Sequence, residues 1–135
     1  MIKDTEKTQI KVLIADDHQM MRKGLVKMIE EQDDLIVIAE ASNGKEAIDL
    51  THQHSPDVVI MDINMPVMDG IEATYQITLK NLPVRVIGLS FHKDQNVAQA
   101  ILEAGASIYL SKSEVIETLC AAVRSEGLIQ KSRPG

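Results

Sequence analysis

Short aliphatic runs alternate along the chain with amphipathic segments. Ile10 to Ala15, Leu35 to Ala39, Val58 to Met61, Val84 to Leu89 and Ser107 to Leu110 are largely apolar and bounded by turn or polar residues. That is the pattern of strands buried on both faces of a parallel sheet. Between them apolar residues recur at helical spacing: Met21, Leu25, Met28 and Ile29; Ala47, Ile48 and Thr51; Val97, Ala100, Ile101 and Ala104; Ile116, Leu119, Cys120 and Val123. A helix over about Gly70 to Lys80 is the least clean amphipath. Asn43-Gly44 and Asp69-Gly70 precede helices, with Asp69 as an N-cap, and Gly105 stands where a helix ends. Pro56 and Pro83 fall just before strands, where a missing N–H does least harm.

The chain therefore predicts (βα)5 in one pass. Five repeats are too few for an eight-stranded barrel, so an α/β open, doubly wound sheet of flavodoxin-like type, with strand order 2-1-3-4-5, is expected. At 135 residues it makes one domain. Residues 1–9 read as a flexible N-terminal tail and 10–126 as the domain. Residues 127–135, GLIQKSRPG, change to a basic, Pro/Gly-ending tail that reads as the start of a linker or equally as a frayed terminus.

Composition narrows the function classes. The single cysteine, Cys120, excludes an internal disulfide and suits a reducing compartment. The charged stretch Met1 to Gln9 lacks a signal-peptide core, and no apolar run reaches the roughly 20 residues of a membrane span. The expectation is a cytoplasmic protein with no membrane partner. A net charge of −6 argues against this segment gripping a phosphate backbone by itself.

In open α/β sheets ligands bind beyond the carboxyl ends of the strands, where the strand order reverses. The first strand runs into Asp16-Asp17, the third into Asp62, the fourth into Ser90 and the fifth into Ser111-Lys112. The second ends in Glu40-Ala41, which suits an edge strand. Three crowded carboxylates repel one another, and a hard divalent cation with oxygen ligands, Mg²⁺, relieves this. A carboxylate, Mg²⁺, a lysine and a hydroxyl are what phosphoryl transfer asks for. Each residue alone has a plainer reading: the acidic pair as a helix cap, Lys112 as a solvated side chain, Asp62 as turn chemistry. Their conjunction at strand ends is what those readings leave unexplained.

Asp16-Asp17, Asp62 in VVIMDINMPVMDG, Ser90 in VIGLS and Lys112 in YLSK resemble the response-regulator receiver domain of two-component signalling, over about residues 10 to 126. GASIYLSK is most similar to the NarL/FixJ-type subfamily. The resemblance implies a switch, not a metabolic enzyme, phosphorylated on Asp62 by a sensor histidine kinase. Asp17, Asp62 and the backbone carbonyl of Asn64 would hold Mg²⁺, with Asp16 acting through water. Lys112 and Ser90 would bind the phosphoryl group and gain partners only when it is present. Tyr109 would be the switch aromatic, although by spacing alone it is a half-buried strand residue. DNA would be bound through an output domain outside this chain, giving transcription regulation, and the resemblance allows a homodimer on phosphorylation.

Three positions depart from the family pattern. Ser113 follows Lys112 where Pro is common, leaving the isomer of that peptide open. Phe91 and His92 follow Ser90, and both are candidates for tuning the lifetime of a phosphoryl group. The Phe91 ring should either lean over the site or turn away from it. His52 and His54 point apart on a helix and read as a solvated end. His18 reads as an exposed first-turn residue and Cys120 as a small core residue. A small-molecule aspartyl-phosphate phosphatase would need a cap insertion and a DxD after the first strand, and both are missing. A flavin-binding module would need a Ser/Thr-rich phosphate loop and more aromatics than Tyr75, Tyr109 and Phe91.

Overall fold

The computed structural model describes residues 8–91, 94–114 and 118–124. Five parallel strands, β1 (Ile10–Ala15), β2 (Leu35–Ala41), β3 (Val58–Asp62), β4 (Arg85–Ser90) and β5 (Ile108–Ser111), form one sheet in the order β2-β1-β3-β4-β5. Helices α1 (Gln19–Glu30), α2 (Gly44–His54), α3 (Gly70–Leu79) and α4 (Gln95–Ala104) connect them. A short 3₁₀ turn (Lys112–Glu114) and helical residues 118–124, here α5, follow the last strand.

The period of two along each strand divides the core. Leu13, Val59, Met61 and Val86 face α2, α3 and α4 and pack with Ile48, Ile77 and Ile101. Val12, Ile14, Ile60, Ile87 and Leu89 face the other way, onto Leu25 and Ile29 of α1 and Leu119 and Val123 of α5. Strands apolar on both faces are thus covered by a helical layer on each side. Of the predicted α5 face, Ile116 lies outside the described residues. Cys120 is half-buried against this layer, as its spacing suggests.

Strand ends differ from the apolar runs by one or two residues. β2 continues through Glu40 and Ala41, β3 includes Asp62, and β4 and β5 end on Ser90 and Ser111. Backbone pairing, not hydropathy, decides where a ladder stops: Asp62 pairs with Leu89, Ser90 with Ser111 and Glu40 with Ile14. The side chains that carry chemistry are therefore held in the ladder itself.

The helix starts follow their caps. Asn43 and Asp69 accept from the backbone N–H of Glu46 and Glu72, at 2.9 and 2.8 Å. Gly105 closes α4 at φ 126°, against Thr78. Asp69-Gly70 also folds the loop after β3 back on itself, because the Gly70 N–H donates to the Ile63 carbonyl at 2.8 Å. A Cβ on Gly70 would collide with the Asp62 carbonyl oxygen. The expected consequence is that Gly70→Ala costs roughly 1–3 kcal/mol or more in chemical denaturation. Gly24→Ala, in α1 with open space around it, should instead gain about 0.5–1 kcal/mol.

Candidate functional site

β1 lies between β2 and β3, so consecutive connections leave it in opposite directions and a crevice opens at its carboxyl end. Asp16 and Asp17 follow β1 directly, and Asp62 closes β3 beside it. Lys112 arrives from two strands away, on the 3₁₀ turn after β5. Asp16, Asp62, Ser90 and Lys112 are all buried, whereas Asp17 is exposed at the rim.

Lys112 ties the cluster together. Its Nζ lies 3.0 Å from Asp16 Oδ2 and 3.1 Å from Asp62 Oδ1. The expectation that Lys112 and Ser90 wait without partners for a phosphoryl group is not met, since a buried ammonium needs a counter-charge at once. Ser90 likewise makes an interaction of its own. The other Asp62 oxygen, Oδ2, is buried with no hydrogen-bond partner. Burial pushes the Asp62 carboxyl up to about 6; Lys112 opposes this, and Asp16 and Asp17 add to it.

The acidic pair does not cap α1. The N-cap is His18, without a side-chain cap bond, and its backbone N–H donates to Asp16 Oδ1 at 2.9 Å. Arg22, one turn into α1, donates from Nη1 to the Asp16 carbonyl at 2.6 Å and from Nε to Glu40 Oε1 at 3.0 Å. Burial alone would raise the Glu40 carboxyl, but hydrogen bonds from Arg22 and Lys23 outweigh it and hold it below its ordinary range. The edge strand thus contributes a brace to the loop that presents the carboxylates. Sequence reasoning missed Arg22; its only signal is its place four residues after His18, on the helix face turned towards the strand ends.

Two aromatic rings cover the site. The Phe91 centroid is 4.5 Å from Lys112 Nζ, a cation–π distance, and its ring meets His18 edge-on at 6.1 Å. Of the two orientations open to Phe91, it therefore leans over the site, although its outer face is exposed. His18 is exposed as its position suggests, yet its Nδ1 is 3.4 Å from Asp16 Oδ1 and 3.3 Å from Asp17 Oδ1. Tyr109 is half-buried on β5 against the α2–α4 side of the core. Asn64 is exposed in the loop after β3, and His92 lies outside the described residues. Among the described residues no peptide is cis, that of Lys112-Ser113 included. His52 and His54 are exposed at the end of α2.

The donor set fits a hard divalent cation. Asp16, Asp17, His18 and Asp62 each offer a ligand atom, all within 4.8 Å of one another, and one buried carboxylate oxygen has no partner. Fold and site together define an α/β module with an acidic, cation-fitting cluster of side chains at its switch point.

The family model of the response regulator receiver domain matches residues 12–124. The chain belongs to the response regulator receiver domain family. It is 42% identical over 116 residues to the transcriptional regulatory protein LiaR of Bacillus subtilis, covering 86% of this chain and 55% of that protein. It is 44% identical over 117 residues to the response regulator protein VraR of Staphylococcus aureus, covering 85% and 55%. The crystal structure of a LuxR-family two-component response regulator from Aurantimonas sp. SI85-9A1 matches with TM-score 0.84 and 32% identity. That match covers 93% of this chain and 89% of the other. The chain spans about half the length of these curated relatives. It is a signalling domain, not a metabolic enzyme, and no helix among the described residues is long and apolar enough to cross a membrane.

The raised Asp62 carboxyl has a measurable consequence without metal. Its contribution to stability is present below its ordinary 3.8 and is lost as pH rises through about 6. In chelator-treated protein, wild type should therefore lose stability relative to Asp62→Asn between about pH 4 and pH 7. Paired urea titrations across that range check it; a pH-independent difference would contradict the assignment.

Proposed function

We propose that Asp62 is the phosphoacceptor of a Mg²⁺-dependent switch, and the observation that carries this reading is the orphaned Oδ2 of Asp62. One oxygen of that carboxylate is held by Lys112, while the other is buried and unengaged. A phosphoacceptor beside a cation needs such a pair: Lys112 would release its oxygen to the incoming phosphoryl group, and the orphaned oxygen would meet the cation. An Asp62 oxygen forms a bond to phosphorus as the phosphorus–nitrogen bond of a kinase phosphohistidine, protonated on its other ring nitrogen, breaks, and the histidine leaves as neutral imidazole. Asp17, Asp62 and the backbone carbonyl of Asn64 would hold Mg²⁺, whose charge would offset the crowded carboxylates and the phosphoryl oxygens. Both Asp16 oxygens already accept hydrogen bonds, which supports its acting through water.

Transfer rearranges partners that already exist. The phosphoryl group brings more acceptor oxygens than the carboxylate it replaces. Lys112 exchanges its bond to Asp62 for one to the phosphoryl group, and Ser90, buried one strand away, turns towards it. Tyr109 on β5 follows Ser90 inward and alters the surface formed by α4 and β5. That surface carries the signal to a DNA-binding output domain beyond residues 127–135, with a homodimer on phosphorylation, in a cytoplasmic regulator of transcription. The name of the transcriptional regulatory protein LiaR, and the share of LiaR and VraR outside the matched segment, support this extension.

Intact-mass measurement with acetyl phosphate tests the central claim. Wild type should gain one phosphoryl group only when Mg²⁺ is present, and Asp62→Asn should gain none. Equal labelling of the variant would refute the assignment.

Phe91 bears on the lifetime of the product. Its ring lies over Lys112, and we expect it to hinder attacking water and slow hydrolysis, with His92, the next residue in the sequence, a further candidate. Phe91→Ala should lose its phosphoryl group several-fold faster with Mg²⁺. An unchanged half-life would mean that Phe91 only packs.

A further inference from the structure

We propose that His18 is an additional ligand of the metal site and shifts its preference from Mg²⁺ towards first-row transition dications such as Mn²⁺. The inference rests on the metal reading of the site, and names a donor that the oxygen-only ligand set does not include.

The geometry is that of donors around one ion. Nδ1 of His18 is 3.3 Å from Asp17 Oδ1, and one ligand atom from each of Asp16, Asp17, His18 and Asp62 lies within 4.8 Å of the others. Neighbouring ligands of an octahedral ion with bonds of roughly 2.1 Å lie about 3 Å apart. An independent observation points to an occupant: Asp62, 3% exposed, keeps one buried oxygen without a partner in the same cluster. Asp16 is spoken for by Lys112 and the His18 N–H. Asp62 then has an oxygen to spare, and His18 Nδ1, now against Asp16 and Asp17, would exchange those contacts for the ion.

His18 is also held for this task. Its backbone is the N-cap of α1, and that N–H is tied to Asp16. Its ring rests edge-on against Phe91, which is anchored in turn over Lys112. That ring contact restricts the rotation of the imidazole while Nδ1 stays on the side of the carboxylates. Chemistry then sets the preference. Carboxylate, carbonyl and water suit Mg²⁺, whereas an imidazole nitrogen adds affinity for transition dications and little for Mg²⁺.

The test is calorimetric titration of metal-free, tag-free protein with Mg²⁺ and with Mn²⁺, together with electron spin-echo spectra of bound Mn²⁺. Wild type should show modulation from a coordinated histidine nitrogen. His18→Ala should lose it, and its Mn²⁺ affinity should fall by roughly tenfold or more with Mg²⁺ affinity nearly unchanged. His18→Asn, which offers an oxygen at similar reach, should hold both ions with the Mn²⁺ advantage reduced. Mn²⁺ bound without nitrogen modulation, or an affinity ratio untouched by His18→Ala, overturns the role of His18 and leaves the metal site standing. Failure of wild type to bind either ion overturns both.

Discussion

Three carboxylates and one ammonium share the end of this sheet, and the bridge from Lys112 to Asp16 and Asp62 is what lets them do so. Two acidic groups buried side by side would be intolerable without a counter-charge, because desolvation penalises each and their repulsion adds to it. Lys112 lies 3.0 and 3.1 Å from the two carboxylates and offsets part of that cost. The remainder is visible in Asp62, whose carboxyl is pushed up to about 6. The residue with the least comfortable charge is also the one with an unengaged oxygen.

The fold places this tension where it can be used. β1 and β3 are adjacent in the sheet though separated in the chain, so their terminal carboxylates converge. Buried strands on both sides leave the backbone little freedom, and Gly70 lets the loop after β3 close tightly against Asp62. Arg22 and Glu40 brace the acidic loop from the opposite side. The site is thus rigid at its base and open at its rim, where Asp17, His18 and Phe91 reach solvent.

A bridged lysine changes how such a switch is read. If Lys112 had waited unpaired, phosphorylation would simply add an interaction. In the proposed switch Lys112 is already paired, so phosphorylation of Asp62 would exchange one partner for another, and the two states would differ by the balance of those pairings. Small differences of that kind suit a reversible signal.

The sequence by itself determined the architecture and most of the chemistry. Continuous apolar runs, helical spacings and cap residues define five strand-helix units, because these signals are local and act through nearest neighbours. Asp16, Asp17, Asp62, Ser90 and Lys112 were legible as a group since each ends a strand, and strand ends converge in any open sheet. Tertiary structure alone decided which pairs touch. Lys112 bridging Asp16 and Asp62, Arg22 on the Asp16 carbonyl, and Phe91 spanning His18 and Lys112 join residues up to 96 positions apart. Such contacts depend on rotamers and on the packing of several elements at once, which no periodicity along one chain encodes.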